Sequence, residues 1–181
     1  MQMLDFKQNY FQLFGLSAEF HVDKDLLKAK QQALLAEFHP DLFVNASEQD
    51  RRLSVQQASH VNEAYQTLLN PVKRARYLLK IKGLELNDET ETTSDTGFLM
   101  EQLELREQLD ECRSNQDPIA CCEEISGKLK SRAQQFADEF VTKFSTEQYE
   151  AARQVSRKMQ FIYRIQEQVL DFQFQLEDEL A

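Results

Sequence analysis

With 181 residues the chain can form one domain of ordinary size or two small ones, and four glycines and three prolines are too few for a many-stranded fold. Gln, Glu, Leu, Ala, Lys and Arg dominate, and all favour helix. A net charge of −10, from 31 acidic and 21 basic residues, argues against a nucleic-acid or anionic-membrane surface. No apolar run approaches the roughly 20 residues of a membrane span.

The first element is a short helix around Tyr10 to Phe14, stopped by Gly15. The N-terminal stretch MQMLDFKQNY lacks a basic region followed by a clean apolar run, so no signal peptide is read and the expected location is cytoplasmic. A second helix starts after Asp23 and runs to about Phe38. Leu27, Leu34 and Phe38 share its apolar face, widened by Leu26 and Ala33, and Pro40 closes it. A third begins near Ser47, with Asp50 in its first turn. Its stripe reads Val55, Ala58, Val61, Asn62, Tyr65, Leu68 and Leu69, until Pro71 ends or kinks the run. A basic and apolar piece, VKRARYLLKIKG, then leads to Gly83.

NDETETTSDTG, Asn87 to Gly97, has no apolar side chain and marks a linker, with Asp95 or Thr96 in position to cap the next helix. Three helices are expected beyond it, over about 96–113, 118–143 and 146–180. In the last, Val155, Met159, Ile162, Ile165, Val169, Phe172 and Leu176 form a seam stepping by three or four. Three such helices can bury one another as an antiparallel bundle. Cys112, Cys121 and Cys122 are an odd set with one adjacent pair. That fits neither a disulfide framework nor a C-x-x-C zinc site, so reduced, partly buried thiols are expected, with no metal and no cofactor.

EFHPDLF, Glu37 to Phe43, places His39, Pro40 and Asp41 at a helix end. A catalytic base needs an orienting partner and a pocket, and the proline sends the flanking side chains to different places. The other histidines are His21 and His60, and no phosphate loop or nucleophile elbow occurs, so no catalytic residue is assigned. The three blocks NYFQLFGL, HPD and VNEAYQTLLNPVKRARYLL keep an order and spacing that resemble the J-domain across roughly residues 9–80. J-domains engage a DnaK-type ATP-dependent chaperone through the HPD loop between two antiparallel helices. The resemblance implies that His39, Pro40 and Asp41 dock on such a chaperone, with Lys28 on the adjoining helix. A proline-held loop loses little entropy on docking, and Asp41 can accept charge-assisted hydrogen bonds. One departure stands out. Gln32, Ala33, Ala36 and Glu37 replace the basic residues usual before HPD, which points to a dedicated partner.

DTGFLMEQLELREQLDE, Asp95 to Glu111, carries two apolar faces on one helix. Phe98, Leu105, Leu109 and Cys112 form a core stripe. Leu99, Met100 and Leu103 lie on the far side, bordered by Glu104, Arg106, Glu107 and Asp110. Either neighbouring helices wrap both faces, or the second is a protein-binding patch with a flexible methionine and a charged rim. Phe161 lies off the last helix's seam and reads as an exposed anchor. After a J-domain, this stretch resembles the HscB family, co-chaperones of bacterial iron–sulfur cluster assembly. The resemblance covers nearly the whole chain. It implies that Leu99, Met100, Leu103, Glu104, Glu107 and Phe161 bind the cluster scaffold IscU, and that HscA is the chaperone.

The expected fold is therefore all-α: an N-terminal J-domain helical hairpin over 1–83, a linker over 84–96 and a C-terminal three-helix bundle over 97–181. The expected function is a co-chaperone, not an enzyme, that binds IscU, delivers it to HscA and stimulates its ATPase. A J-protein with another client is the alternative.

Overall fold

The computed structural model describes residues 4–38, 42, 47–84 and 95–180, the side chains at 177, 179 and 180 excepted. His39, Pro40 and Asp41, and residues 85–94 of the expected linker, lie outside the described residues. Among those described, every regular element is a helix. They run α1 Tyr10–Leu13, α2 Lys24–Phe38, α3 Glu48–Leu69, α4 Pro71–Ile81, α5 Thr96–Arg113, α6 Pro118–Ser145 and α7 Tyr149–Leu180. The chain divides into two compact units, Met1–Gly83 and Leu84–Ala181.

In the first unit local chemistry starts each helix. Asn9 and Gln12 close a capping box on α1, with the Gln12 and Asn9 amides donating to each other's side chains at 2.9 and 3.0 Å. The Asp23 carboxylate accepts from the Asp25 and Leu26 amides, both at 3.0 Å, to open α2. Ser47 accepts from the Asp50 amide at 3.2 Å to open α3. The α2–α3 hairpin is laced by Gln31 Nε2 donating to Asn62 Oδ1 at 2.9 Å. Phe11, Phe14, Leu27, Val61, Ala64, Leu68, Leu78 and Leu79 are buried in the core.

The apolar stripes read on α2 and α3 are corrected in part. Leu26 and Val55, assigned to apolar stripes, are exposed, as is Ala33. The buried side of α3 is instead Ser54, Gln57, Val61, Ala64 and Leu68. Polar side chains take the inward positions at its N-terminal end, with the Ser54 hydroxyl donating to the Arg51 carbonyl at 2.8 Å. The VKRARYLLKIKG piece is a helix in its own right. Pro71 both ends α3 and opens α4, because at N1 its missing N–H has no intrahelical partner to lose. Asn70 caps it, accepting from the Val72 and Lys73 amides at 2.9 and 3.0 Å. Arg74 is buried, donates to the Leu68 carbonyl at 2.6 Å and lies 4.9 Å over the Phe20 ring. Burial pushes its guanidinium down to about 10.

In the second unit α5, α6 and α7 form the expected three-helix bundle. The seam of α7 is buried at Val155, Met159, Ile162, Ile165 and Val169 against Ile125, Leu129, Phe136 and Phe140 of α6. The cysteine expectation is overturned. Cys112 and Cys121 form a disulfide, with Cα atoms 5.5 Å apart, and Cys122 is a free buried thiol. The short α5–α6 turn folds the last turn of α5 onto the first turns of α6. Partners nine residues apart in sequence thereby come within bridging distance.

Candidate partner-binding surfaces

The exposed face of α5 follows from how its other faces are held. Asp95 caps the helix, accepting from the Phe98 amide at 3.0 Å. The same carboxylate receives Lys158 Nζ of α7 at 2.6 Å. The Lys158 hydrogen bond, helped by the Phe98 amide, holds the Asp95 carboxyl below the usual carboxylate range. Lys158 also lies 5.4 Å from the Phe98 ring and 5.9 Å from that of Phe136.

One turn on, Glu101 takes a two-pronged contact from Arg132 of α6, Nε to Oε1 at 2.6 Å and Nη2 to Oε2 at 2.7 Å. That hydrogen bond raises the Arg132 pKa further, and the guanidinium stacks 4.3 Å over Phe136. Between these two clamps Phe98 is buried and meets Phe136 edge-on, with centroids 5.9 Å apart.

With Phe98, Leu105, Leu109 and Cys112 turned inward, Leu99, Met100 and Leu103 turn outward. They are 42, 57 and 51 % exposed. Leu103 lies four positions from Leu99 and three from Met100, so the three are surface neighbours and form one apolar patch. Glu104 and Glu107 are exposed beside it. Phe161 differs from its expected exposure, being half-buried. Its ring meets Phe98 edge-on at 5.6 Å, and Arg106 of α5 lies 5.6 Å over its face. It thus stands at the junction of α5 and α7, between a core ring and a surface cation.

On the first unit, Lys28 is exposed on α2, as are Lys24 and Lys30. The clamps Asp95–Lys158 and Glu101–Arg132 were not found from sequence. Each joins residues on different helices, 63 and 31 positions apart, and helical periodicity carries no signal for pairs of that kind. Among the described residues no group of three His, Cys, Asp or Glu side chains is placed to hold a metal ion. No described helix is long and apolar enough to cross a membrane.

Comparison with known proteins places the second unit and then the whole chain. The HSCB C-terminal oligomerisation domain matches residues 94–170. The co-chaperone protein HscB homolog of Shewanella halifaxensis is 42 % identical over 165 residues, covering 89 % of this chain and 94 % of that protein. Chaperone HscB from Vibrio cholerae superposes with a TM-score of 0.83 at 38 % identity, covering 96 % of this chain and 100 % of that one. The human co-chaperone protein HscB superposes at 0.85 and 32 % identity, covering 93 and 84 %.

Proposed function

The chain belongs to the HscB family of co-chaperones, and from that premise we propose that it serves iron–sulfur cluster assembly in the cytoplasm as a two-handed adaptor. One hand is the HPD motif of the J-domain, His39, Pro40 and Asp41, together with Lys28 of α2, which engages the DnaK-type chaperone HscA. The other is the α5 patch of Leu99, Met100 and Leu103, with Glu104 and Glu107 at its rim and Phe161 beside it, which holds the scaffold IscU. The chain catalyses no covalent step. ATP hydrolysis belongs to the chaperone, and the adaptor stimulates it by presenting scaffold and J-domain together. Joining the two partners through one chain raises the effective concentration of scaffold at the chaperone without any new contact.

The observation that carries this reading is the exposed triad on a helix whose other faces are clamped. A half-exposed apolar cluster of this kind has no role in the bundle's own core. Held by Asp95–Lys158 and Glu101–Arg132, it is pre-organised and loses little freedom on binding.

Steady-state ATPase of HscA with IscU, with and without this chain, is the direct test. Strong stimulation is expected, lost in His39→Gln while circular dichroism stays unchanged. Leu99→Ala with Met100→Ala should lose IscU capture in a pull-down. Unchanged capture would remove the scaffold from this surface and favour another client.

A further inference from the structure

We propose that Cys112 and Cys121 form a reversible thiol–disulfide exchange site that braces α5 against α6, with Cys121 as the attacking sulfur and Cys112 as the resolving one. The partner is a low-molecular-weight disulfide or thiol of the glutathione class. The assignment of roles follows from access. Cys112 is fully buried, whereas Cys121 is half-buried in the first turns of α6. A soluble reagent therefore meets Cys121 first. Cys122 is adjacent in sequence but lies about 100° round the helix, fully buried among the α6 core residues. It takes no part in the bridge, and burial raises its thiol pKa.

The chemistry balances in two displacements. The Cys121 thiolate attacks one sulfur of the small disulfide, whose S–S bond breaks and releases one thiolate, leaving a mixed disulfide on Cys121. The Cys112 thiolate then attacks Cys121 Sγ, expels the second small thiolate and closes the bridge. Two electrons pass from the protein thiols to the reagent, and the two thiol protons end on the released thiols or in solvent. Reduction runs the same route backwards, an incoming thiolate attacking Cys121 Sγ and releasing Cys112. In a reducing compartment such a bridge is transient and tracks the thiol poise.

The effect is local. The bridge joins the last turn of α5 to the start of α6, at the opposite end of α5 from the Asp95 and Glu101 clamps. Oxidised, the C-terminal end of α5 gains a covalent brace; reduced, it is held by packing alone, with Leu109 buried and Arg113 lying 5.4 Å over the Phe172 ring of α7. This assignment does not depend on the identity of the binding partners.

The test uses the full chain in glutathione buffers of graded ratio, with thiols alkylated and located by peptide mass mapping. After an acid quench, alkylation in denaturant should be lost at Cys112 and Cys121 together, while Cys122 stays reactive at every ratio. Oxidation should also raise the melting midpoint of the native chain by roughly 5 °C. Cys112→Ala should accumulate a glutathione adduct on Cys121, while Cys121→Ala should gain no adduct on Cys112 in the folded state. If either variant fails to fold, the first adduct is located instead in wild-type chain quenched early in oxidation. A first adduct on Cys112 or Cys122, pairing through Cys122, or no pairing at any ratio would overturn the proposal.

Discussion

Phe98 and Leu99 are neighbours in sequence with opposite duties. Phe98 is 4 % exposed, packed edge-on against Phe136 and Phe161 and flanked by the Lys158 ammonium. Truncating it to alanine opens a cavity between α5 and its neighbours and should cost about 3–5 kcal/mol in urea unfolding. Leu99 already stands half in water. Leu99→Ala should stay within about 0.5 kcal/mol of wild type while weakening capture of the scaffold. A comparable loss of stability in both variants would show that the patch belongs to the core. Phe161 is intermediate: its contacts with Phe98 and Arg106 fix the ring, so its substitution mixes structural and binding effects.

Among the elements, α1 shows how a four-residue helix is kept in place. It is too short to be stable alone, so tertiary contacts must hold it. Its Tyr10 amide donates to the Tyr77 hydroxyl of α4 at 2.9 Å, and the two rings stack with centroids 4.4 Å apart. The Tyr10 hydroxyl donates to Glu63 of α3 at 2.9 Å. Burial, then the Glu63 hydrogen bond, push the Tyr10 phenol up to about 12. A phenol whose folded pKa lies above its unfolded value of 10.0 contributes stability that is complete below pH 10 and disappears as pH rises through 12. The stability of the first unit should therefore fall across that alkaline window, and less steeply in Tyr10→Phe, as monitored by denaturant midpoints. An equal fall in both proteins would assign the loss to other groups.

At the scale of the whole molecule, the chain forms two units with separate cores. Residues 1–83 carry 11 basic and 9 acidic side chains, and residues 84–181 carry 10 and 22, so the net negative charge resides in the second unit. The adaptor reading requires both units on one chain. The C-terminal fragment alone should still capture IscU but not stimulate HscA. An equimolar mixture of the two fragments should need at least about tenfold more protein than the intact chain for the same stimulation, because the effective concentration supplied by the tether is gone. Equal potency of mixture and intact chain in the ATPase assay would refute the tether.

The sequence by itself determined the all-helical architecture, the helix starts at Asp23 and near Ser47 and the two-faced character of α5, and it narrowed the cap of α5 to Asp95 or Thr96. These are local matters of turn chemistry and of periodicity along one helix. Tertiary structure decided which face each neighbour covers. It turned Ser54 and Gln57 inward and Val55 outward, made Pro71 the start of α4, and drew Phe161 half under α5. It also chose the Lys158 and Arg132 clamps and brought Cys112 to Cys121. A helical repeat states which side chains share a stripe, but not which surface lies opposite it. A bridge or ion pair between helices depends on how the intervening turns set their axes, and that distance is not written in the spacing of residues along either one.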